Sequence, residues 1–279
     1  MAIPPYVPAR LHVLLAREAT NGVIIRRGPS HQVCTISWDR KTDVFALGQW
    51  FKGRIYERRS DLSLDGKFFI YFAMNGKWQG EAKGSWTAIA KTPYLKAVAL
   101  WGKGDCWNGG GLFTDNRYFW LNDGHGPHEE LLAPTGMRRA KIRPSSKYYG
   151  GECPGVYYVR LQRDGWKLES TREDGNHSQI VVFEKSIGSG WVLRKLAHAT
   201  LDHPVGKGCY FDTHELVSPA SGKLLDKANW EWADLDRRRL VWAEEGKLFA
   251  GRITADSISE ITLLRDFNDM KFESVTAPY

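Results

Sequence analysis

The stretch Gly53–Ala73, GRIYERRSDLSLDGKFFIYFA, has the clearest local pattern in the sequence. Asp65-Gly66 is a strong hairpin-turn signal, because glycine tolerates a positive φ. A strand is predicted before this turn. The aromatic run Phe68–Phe72 follows the turn and is predicted to be a strand that is buried on both faces. The stretch therefore predicts a β-hairpin.

A second copy of this pattern lies at Trp230–Ile253, WEWADLDRRRLVWAEEGKLFAGRI. Leu235-Asp236 stands where Leu64-Asp65 stands in the first copy, and the apolar run Leu240–Ala243 corresponds to the aromatic run. Glu245-Gly246 then predicts a turn into one more strand, which ends at Ile253. We expect the two apolar runs to be equivalent buried strands of different repeats.

Weaker copies have a similar spacing along the first half of the chain. Their turns fall at Asp39, Thr92-Pro93 and Asp115-Asn116. Together with the turn at Asp65, these turns recur at intervals of about 25 residues. This interval is long enough for a pair of hairpins. Repetition of one supersecondary unit is typical of propellers and repeat arrays. The segments that contain these turns are Thr35–Leu47, Ser85–Trp101 and Gly111–Asn122.

Asp61–Ala73 and Ala233–Ala243 resemble the repeats of WD40-like and TolB-like β-propellers, whose motif is similar to S-P-D-G-K followed by an apolar strand. The corresponding residues are Ser63-Leu64-Asp65-Gly66-Lys67 and Asp234-Leu235-Asp236-Arg237-Arg238. The resemblance implies an all-β fold, a radial array of four-stranded blades that serves as a platform for partners. The resemblance covers about a third of the chain and does not decide between five and six blades. A β-sandwich decorated with long loops is the alternative fold.

The rest of the chain is predicted to be plain β-structure. Gly155–Ser170 alternates around Asp164-Gly165 and predicts a hairpin, and Gln179–Lys195 predicts another across Gly188-Ser189-Gly190. Ala9–Glu18 fits a short helix or a strand equally well. Because no low-complexity linker divides the sequence, we expect one domain over residues 1–279.

The composition is that of an ordinary globular protein with 42% apolar and 25% charged residues. No apolar run is long enough for a membrane span and no targeting segment is evident, so we expect a cytoplasmic protein without a membrane partner. The four cysteines are far apart and form no CxxC pair, which favours reduced thiols over disulfides or zinc. We predict no cofactor and no metal.

The segment Trp101–Asp115, WGKGDCWNGGGLFTD, is the strongest candidate for a ligand site. Glycines allow a ligand close to the backbone, and tryptophan faces stack on sugars or bases. A long glycine-rich connection with a buried Trp107 would have the same composition, and we expect this packed arrangement because tryptophan is more often a core residue. The candidate ligand-binding residues are Trp101, Asp105, Trp107, Asn108 and Asp115.

Two other groups of polar residues are weaker candidates. His125, His128 and Glu129 suggest a metal only superficially, because the surrounding Gly and Pro prevent the helical spacing of paired zinc ligands. A second group surrounds Cys209, where a Cys209–His214 nucleophile pair is conceivable but generic. We expect the histidines of this group to be ordinary surface or core residues. The group consists of His198, His203 and His214 with Asp202, Asp212 and Glu215.

A basic run lies at residues 131–151, within a chain of formal net charge +7. Such a run attracts phosphate backbones or acidic proteins, although most runs of this kind are solvated loops. We expect weak, sequence-independent binding of nucleic acid at most. Its cations are Arg138, Arg139, Lys141, Arg143 and Lys147.

These observations favour a non-catalytic scaffold or protein-interaction module, as a subunit of a larger assembly. No GxSxG, Walker-type or dinucleotide-binding motif occurs. The first alternative is a carbohydrate-active or other hydrolase that uses carboxylates in an aromatic-lined pocket, since such pairs need no sequence motif. Nucleic-acid binding through the basic run is the second alternative.

Overall fold

The structure is a computed structural model that describes residues 7–29, 31–141, 143–145, 149, 152–173, 178–204 and 206–279. It contains 52% strand and 5% helix, which confirms the all-β class. The strands form five sheets. By its contacts the chain divides into two compact units, a larger one, Val13–Arg160 with Met270–Tyr279, and a smaller one, Leu161–Asp269 with Met1–His12.

The first sheet consists of four strands in sequence order, and its inner strands are almost fully buried. Val, Ile and Thr predominate in β2 and β3, and such β-branched side chains pack well on a pleated surface. Ala9–Glu18, for which the sequence left helix or strand open, contains the first strand. The strands are β1 (Arg10–Leu15), β2 (Asn21–Arg27), β3 (Gln32–Asp39) and β4 (Val44–Lys52).

The second and third sheets complete the larger unit. The second has the order β12-β9-β8-β7-β5, with β6 also paired to β7, and the third has the order β10-β11-β13, in which β11 and β13 are parallel. A short 3-10 turn at Glu57–Arg59 separates β5 from β6. The strands are β5 (Arg54–Ile55), β6 (Asp61–Leu62), β7 (Phe68–Met74), β8 (Ser85–Lys91), β9 (Ala97–Gly102), β10 (Gly111–Phe113), β11 (Tyr118–Leu121), β12 (Glu129–Leu132) and β13 (Arg138–Arg139).

The predicted hairpin at Asp65-Gly66 is confirmed. Gly66 has φ +67°, and the Asp65 carboxylate accepts hydrogen bonds from Ser63 Oγ at 2.7 Å and the Lys67 backbone N–H at 3.1 Å. β7 follows this turn as predicted, and Phe69–Phe72 are buried in it. An aspartate that bonds the backbone two residues ahead forms the turn locally, which is why sequence could locate it.

The smaller unit holds the last two sheets. The division between the two units falls within the helix Pro154–Arg163, whose residues up to Arg160 belong to the larger unit. The sheets have the orders β14-β15-β16-β17-β18 and β19-β20-β21-β22, and all their pairings are antiparallel. The strands are β14 (Lys167–Glu173), β15 (Ser178–Gly188), β16 (Trp191–Thr200), β17 (Tyr210–Ser218), β18 (Lys223–Lys227), β19 (Trp232–Asp236), β20 (Arg239–Glu244), β21 (Lys247–Ile253) and β22 (Ile258–Asp266).

The second copy of the repeat is confirmed as a pair of hairpins in this unit. Asp236 ends β19, Arg237 takes φ +58° at the turn, and Leu240–Trp242 are buried in β20. Glu245 and Gly246, both at positive φ, connect β20 to β21. The two apolar runs of the repeat are therefore buried strands of different sheets.

The hairpin predicted at Gly155–Ser170 is wrong in its first half. Pro154–Arg163 forms α1, and only Lys167–Glu173 is a strand. Pro154 occupies the start of the helix, where its fixed φ is favourable, and Tyr157 N donates to Cys153 O at 2.9 Å. Residues 153–161 are buried on all sides. The aromatic and β-branched residues of a buried helix therefore resembled a strand.

Among the residues that the structure describes, no helix is both long and apolar enough to span a bilayer.

Candidate functional site

A buried lysine anchors the loop between β9 and β10, residues 103–110. Lys103 is 0% exposed, and its Nζ lies 2.7 Å from Asp105 Oδ1 and donates to His125 O at 2.8 Å. A buried cation is tolerated only when its charge is paired and its protons are bonded. Lys103 therefore fixes both the start of this loop and the segment around His125.

Asp105, which pairs with Lys103, also holds the rest of the loop through hydrogen bonds. Its Oδ1 accepts a hydrogen bond from Trp107 N at 2.9 Å, and its carbonyl oxygen accepts one from Ser85 Oγ at 2.6 Å. Trp107 is thus fixed through its own backbone and not through its ring.

A second buried cation, Arg59, holds the far side of the loop. Its Nη1 donates to Cys106 O at 2.7 Å and to Asn108 O, and its Nη2 lies 2.6 Å from Glu152 Oε2. The guanidinium also lies over the Phe72 ring, 5.0 Å from its centroid. At Gly110, with φ +74°, a side chain would overlap the Arg59 backbone. Glycine is therefore required where the loop passes Arg59.

The outer face of this anchored loop carries an exposed indole. Trp107 is 59% exposed, so the expectation of a buried Trp107 is wrong. Trp78, on the neighbouring loop between β7 and β8, is 50% exposed and packs against Gly84, which leads into Ser85. We call Trp78 and Trp107, with the exposed residues Lys83 and Cys106, the tryptophan surface.

A histidine beneath this surface is kept neutral. Burial and the nearby Lys103 ammonium lower the pKa of His128 to about 4, although Asp123 and Asp105 act in the opposite direction. The imidazolium form is disfavoured because it would place a second positive charge beside Lys103 in a poorly solvated site.

The predicted ligand-binding residues do not form one cluster. Asp105, Trp107 and Asn108 share the anchored loop, whereas Trp101 is buried in the core with its ring 5.5 Å from that of Phe119. Asp115 is exposed in the β10–β11 turn, where it accepts a hydrogen bond from Arg117 N at 3.3 Å. Only the middle of the predicted segment thus belongs to the tryptophan surface.

Three carboxylates near the tryptophan surface pair with cations, whereas the exposed Glu81, on the loop of Trp78, has no ion pair among the described residues. Asp105 pairs with Lys103, Asp123 with Arg139, and Glu129 with Lys83. An acid–base pair for glycoside hydrolysis needs one carboxylate free to take a proton and another free to attack or to activate water. The three paired carboxylates are poorly suited to either role.

The basic run is partly neutralised as well. Arg138, Arg139 and Lys141 are exposed, but Arg139 pairs with Asp123. The Arg143 guanidinium lies over the Trp120 ring, 5.9 Å from its centroid. Lys147, the fifth predicted cation, lies outside the described residues.

The polar group predicted around Cys209 contains a buried network that does not include this cysteine. Lys195 Nζ donates to His214 Nε2 at 2.8 Å, and His214 Nδ1 donates to Trp230 O at 3.0 Å. Asp212 Oδ2 lies 3.9 Å from Lys195 Nζ. Cys209 is exposed ahead of β17, five residues or about 16 Å of extended chain from His214.

Sequence reasoning missed the three cations that organise these sites, Lys103, Arg59 and Lys195. The described residues contain no group of three His, Cys, Asp or Glu placed to hold a metal ion. A scan of the chain against protein-family models gives no match, and a search of curated proteins gives none either.

Proposed function

We propose that this chain is a non-catalytic scaffold that binds a protein partner through the tryptophan surface, within a larger assembly. The propeller implied by the repeats is part of this proposal. Its support is that three of the five sheets, β1–β4, β14–β18 and β19–β22, join consecutive strands in sequence order, as propeller blades do. A crystal structure in which the sheets did not succeed one another around a common axis would refute the propeller.

The exposed indoles of Trp78 and Trp107 carry the proposal. Tryptophan is enriched among interface residues whose truncation costs most binding energy, because a large rigid ring loses much water contact on binding. The loop of Trp107 is already fixed by Lys103 and Arg59, so little further ordering is needed when a partner docks. An exposed Trp107 on a pre-ordered loop, with a second exposed indole on the β7–β8 loop, is therefore suited to recognition.

The competing hydrolase is less well supported, because three carboxylates beside the tryptophan surface are ion-paired. A reducing, cytoplasmic location fits the free and exposed thiols of Cys106 and Cys209, since exposed thiols oxidise readily outside such a compartment.

The test is cross-linking and affinity capture of the full chain from its native host, comparing Trp107→Ala and Trp78→Ala with Tyr118→Ala. Tyr118 is a matched control because it is 42% exposed but lies at the opposite end of the β10–β11 hairpin. We expect one defined partner, lost in the two tryptophan variants and retained in Tyr118→Ala. Unfolding by urea should show nearly unchanged stability for all three.

Equal capture of the partner by the wild-type protein and the tryptophan variants would exclude the tryptophan surface as the binding site. A large loss of stability in Trp107→Ala would show that the ring is a packing residue.

A further inference from the structure

A concave site lies in the larger unit, and the proposed partner binding leaves it unexplained. It is a cavity of about 510 Å³, within the range of small-molecule sites. Three chain segments meet there, at the start of β3, the end of β4 with β5, and the end of β7. Its lining residues are His31, Gln32, Lys52, Gly53, Arg54, Met74, Asn75 and Gly76.

The charge of this cavity is one-sided. Lys52 and Arg54 line it, and none of the lining residues that the structure describes carries a carboxylate. Gln32 and Asn75 add amide groups that can donate hydrogen bonds. The acid nearest to Arg54 in sequence is Glu57, whose carboxylate lies 3.1 Å from Arg27. Burial acts to raise the pKa of Glu57, but Arg27 and Arg54 hold the pKa below its usual value. Glu57 is therefore ionised and already paired.

Aromatic rings, and not acids, position the two cations. Lys52 Nζ lies 5.1 Å from the Phe272 ring centroid, and the Arg54 guanidinium lies 4.5 Å from that of Tyr56. Neither forms an ion pair with a carboxylate of the described residues. A ring fixes a cation without neutralising it, so Lys52 and Arg54 remain available to a ligand, although Arg54 also interacts electrostatically with Glu57.

The backbone beside the two cations is also specialised. Gly53 lies between them, its N–H donates to His31 O at 2.9 Å, and a side chain there would lie 2.5 Å from Met74 O. His31 has φ +53°, an uncommon conformation for a residue other than glycine. Such backbone outliers concentrate at ligand-binding sites and switch regions.

We propose that this cavity binds a small ligand through its phosphate group. Lys52 provides a point charge, Arg54 provides a planar fork that matches two phosphate oxygens, and the amides of Gln32 and Asn75 complete the donor set. Met74 supplies an apolar wall, so the remainder of a phosphoester also has room in about 510 Å³.

The test is isothermal titration of the full chain with sodium pyrophosphate at constant low ionic strength, with Lys52→Gln, Arg54→Gln and Lys41→Gln as variants. Lys41→Gln is the matched control. It removes one positive charge, as the other two variants do, but Lys41 lies in the β3–β4 turn, at the opposite end of these two strands from Lys52. We expect saturable one-site binding that falls by about tenfold or more in Lys52→Gln and Arg54→Gln and changes less than about twofold in Lys41→Gln.

Inorganic phosphate and ribose 5-phosphate distinguish the source of the phosphate group. Tighter binding of ribose 5-phosphate indicates a phosphoester ligand, and equal binding indicates the free ion. Absence of saturable pyrophosphate binding at millimolar concentration would overturn the proposal. An equal loss in Lys41→Gln would overturn it too, because the binding would then follow net charge alone. Neither outcome depends on the tryptophan surface or its partner.

Discussion

The four cysteine thiols differ in burial, and this difference gives a direct test at the scale of single residues. Cys106 and Cys209 are exposed, whereas Cys34 and Cys153 are buried. Burial raises the pKa of Cys34 to about 12, although Arg26 acts to lower it. Because the thiolate is the reactive form, we expect an aromatic disulfide reagent to titrate two thiols rapidly in the native protein and four in denaturant without reductant.

Fewer than four thiols in denaturant would mean that disulfides form, contrary to the reduced state expected from the sequence. Reaction of Cys34 as fast as Cys106 in the native protein would contradict the packing of β3.

His128 gives the second prediction at this scale. Its folded-state pKa of about 4 lies below the ordinary 6.5, so the unfolded chain binds a proton first as the pH falls. The free energy of unfolding should therefore fall between pH 6.5 and pH 4. In His128→Gln this fall should be smaller, whereas the exposed His125→Gln should retain it. Urea unfolding across this pH range measures the difference, and identical profiles for both variants and wild type would refute the buried neutral imidazole.

The exposure of Trp107 shows what local sequence could not predict. The glycines and tryptophans of residues 101–115 fit a packed connection as well as an open loop. The outcome is decided by Arg59, 47 residues away from Cys106, whose carbonyl it binds. A buried arginine contradicts the usual relation between charge and exposure, so nothing in the composition indicated this anchor.

At the scale of secondary-structure elements, sequence succeeded where a turn is formed by its own residues. The turns at Asp39, Asp65-Gly66, Asp115-Asn116 and Glu245-Gly246 all separate strands as predicted. The helix at Pro154–Arg163 was missed because its burial on all sides removes the helical periodicity of polar and apolar residues. Element type is readable from an amphipathic pattern, and a fully buried element has none.

The sheet β14–β18 contains the third prediction. Lys195 and His214 face one another on β16 and β17, and both side chains are buried. Lys195→Ala would leave His214 Nε2 and the nearby Asp212 without their cation, and breaking a buried pair costs roughly 3–5 kcal/mol. We expect a loss of this size in urea unfolding, with Arg194→Ala as control, since Arg194 on the opposite face forms ion pairs whose side chains are 22–24% exposed.

The double variant Lys195→Met/His214→Leu should lose less stability than the sum of the two single variants, because both polar partners are then removed together. Additive losses would show that the two side chains are not coupled.

At the scale of the whole molecule, the sequence predicts one domain because no linker divides it, and this stays a prediction. By its contacts the chain divides into two compact units whose segments interleave along the chain. Residues 270–279 belong to the larger unit although residues 161–269 of the smaller unit precede them. Interleaving leaves no compositional mark, so sequence reasoning had no means to detect it. The units are defined by long-range contacts, which single-sequence patterns do not encode.

The segment 270–279 is tied to the larger unit by specific contacts, which give the fourth prediction. Gln49 Nε2 donates to Val275 O at 2.7 Å, Lys91 N donates to Tyr279 Oη at 3.0 Å, and the rings of Trp50 and Phe272 are 6.0 Å apart. Ending the chain after Asp269 should therefore speed hydrogen exchange in β4 and β8 and leave β16 unchanged. Exchange measured by mass spectrometry checks this, and equal acceleration in β16 would contradict the division into units.

The interleaving of the two units also sets an order of events during protein synthesis. The body of the larger unit leaves the ribosome first, and the segment that completes it follows only after the 109 residues 161–269. At a translation rate of 5–20 residues per second this delay is roughly 5–20 s. Hydrophobic collapse takes far less than a second. The larger unit therefore collapses before Phe272 is synthesised, and Trp50 stays partly exposed until Phe272 packs against it. The nascent chain thus passes through an interval in which this face is accessible to chaperones and proteases.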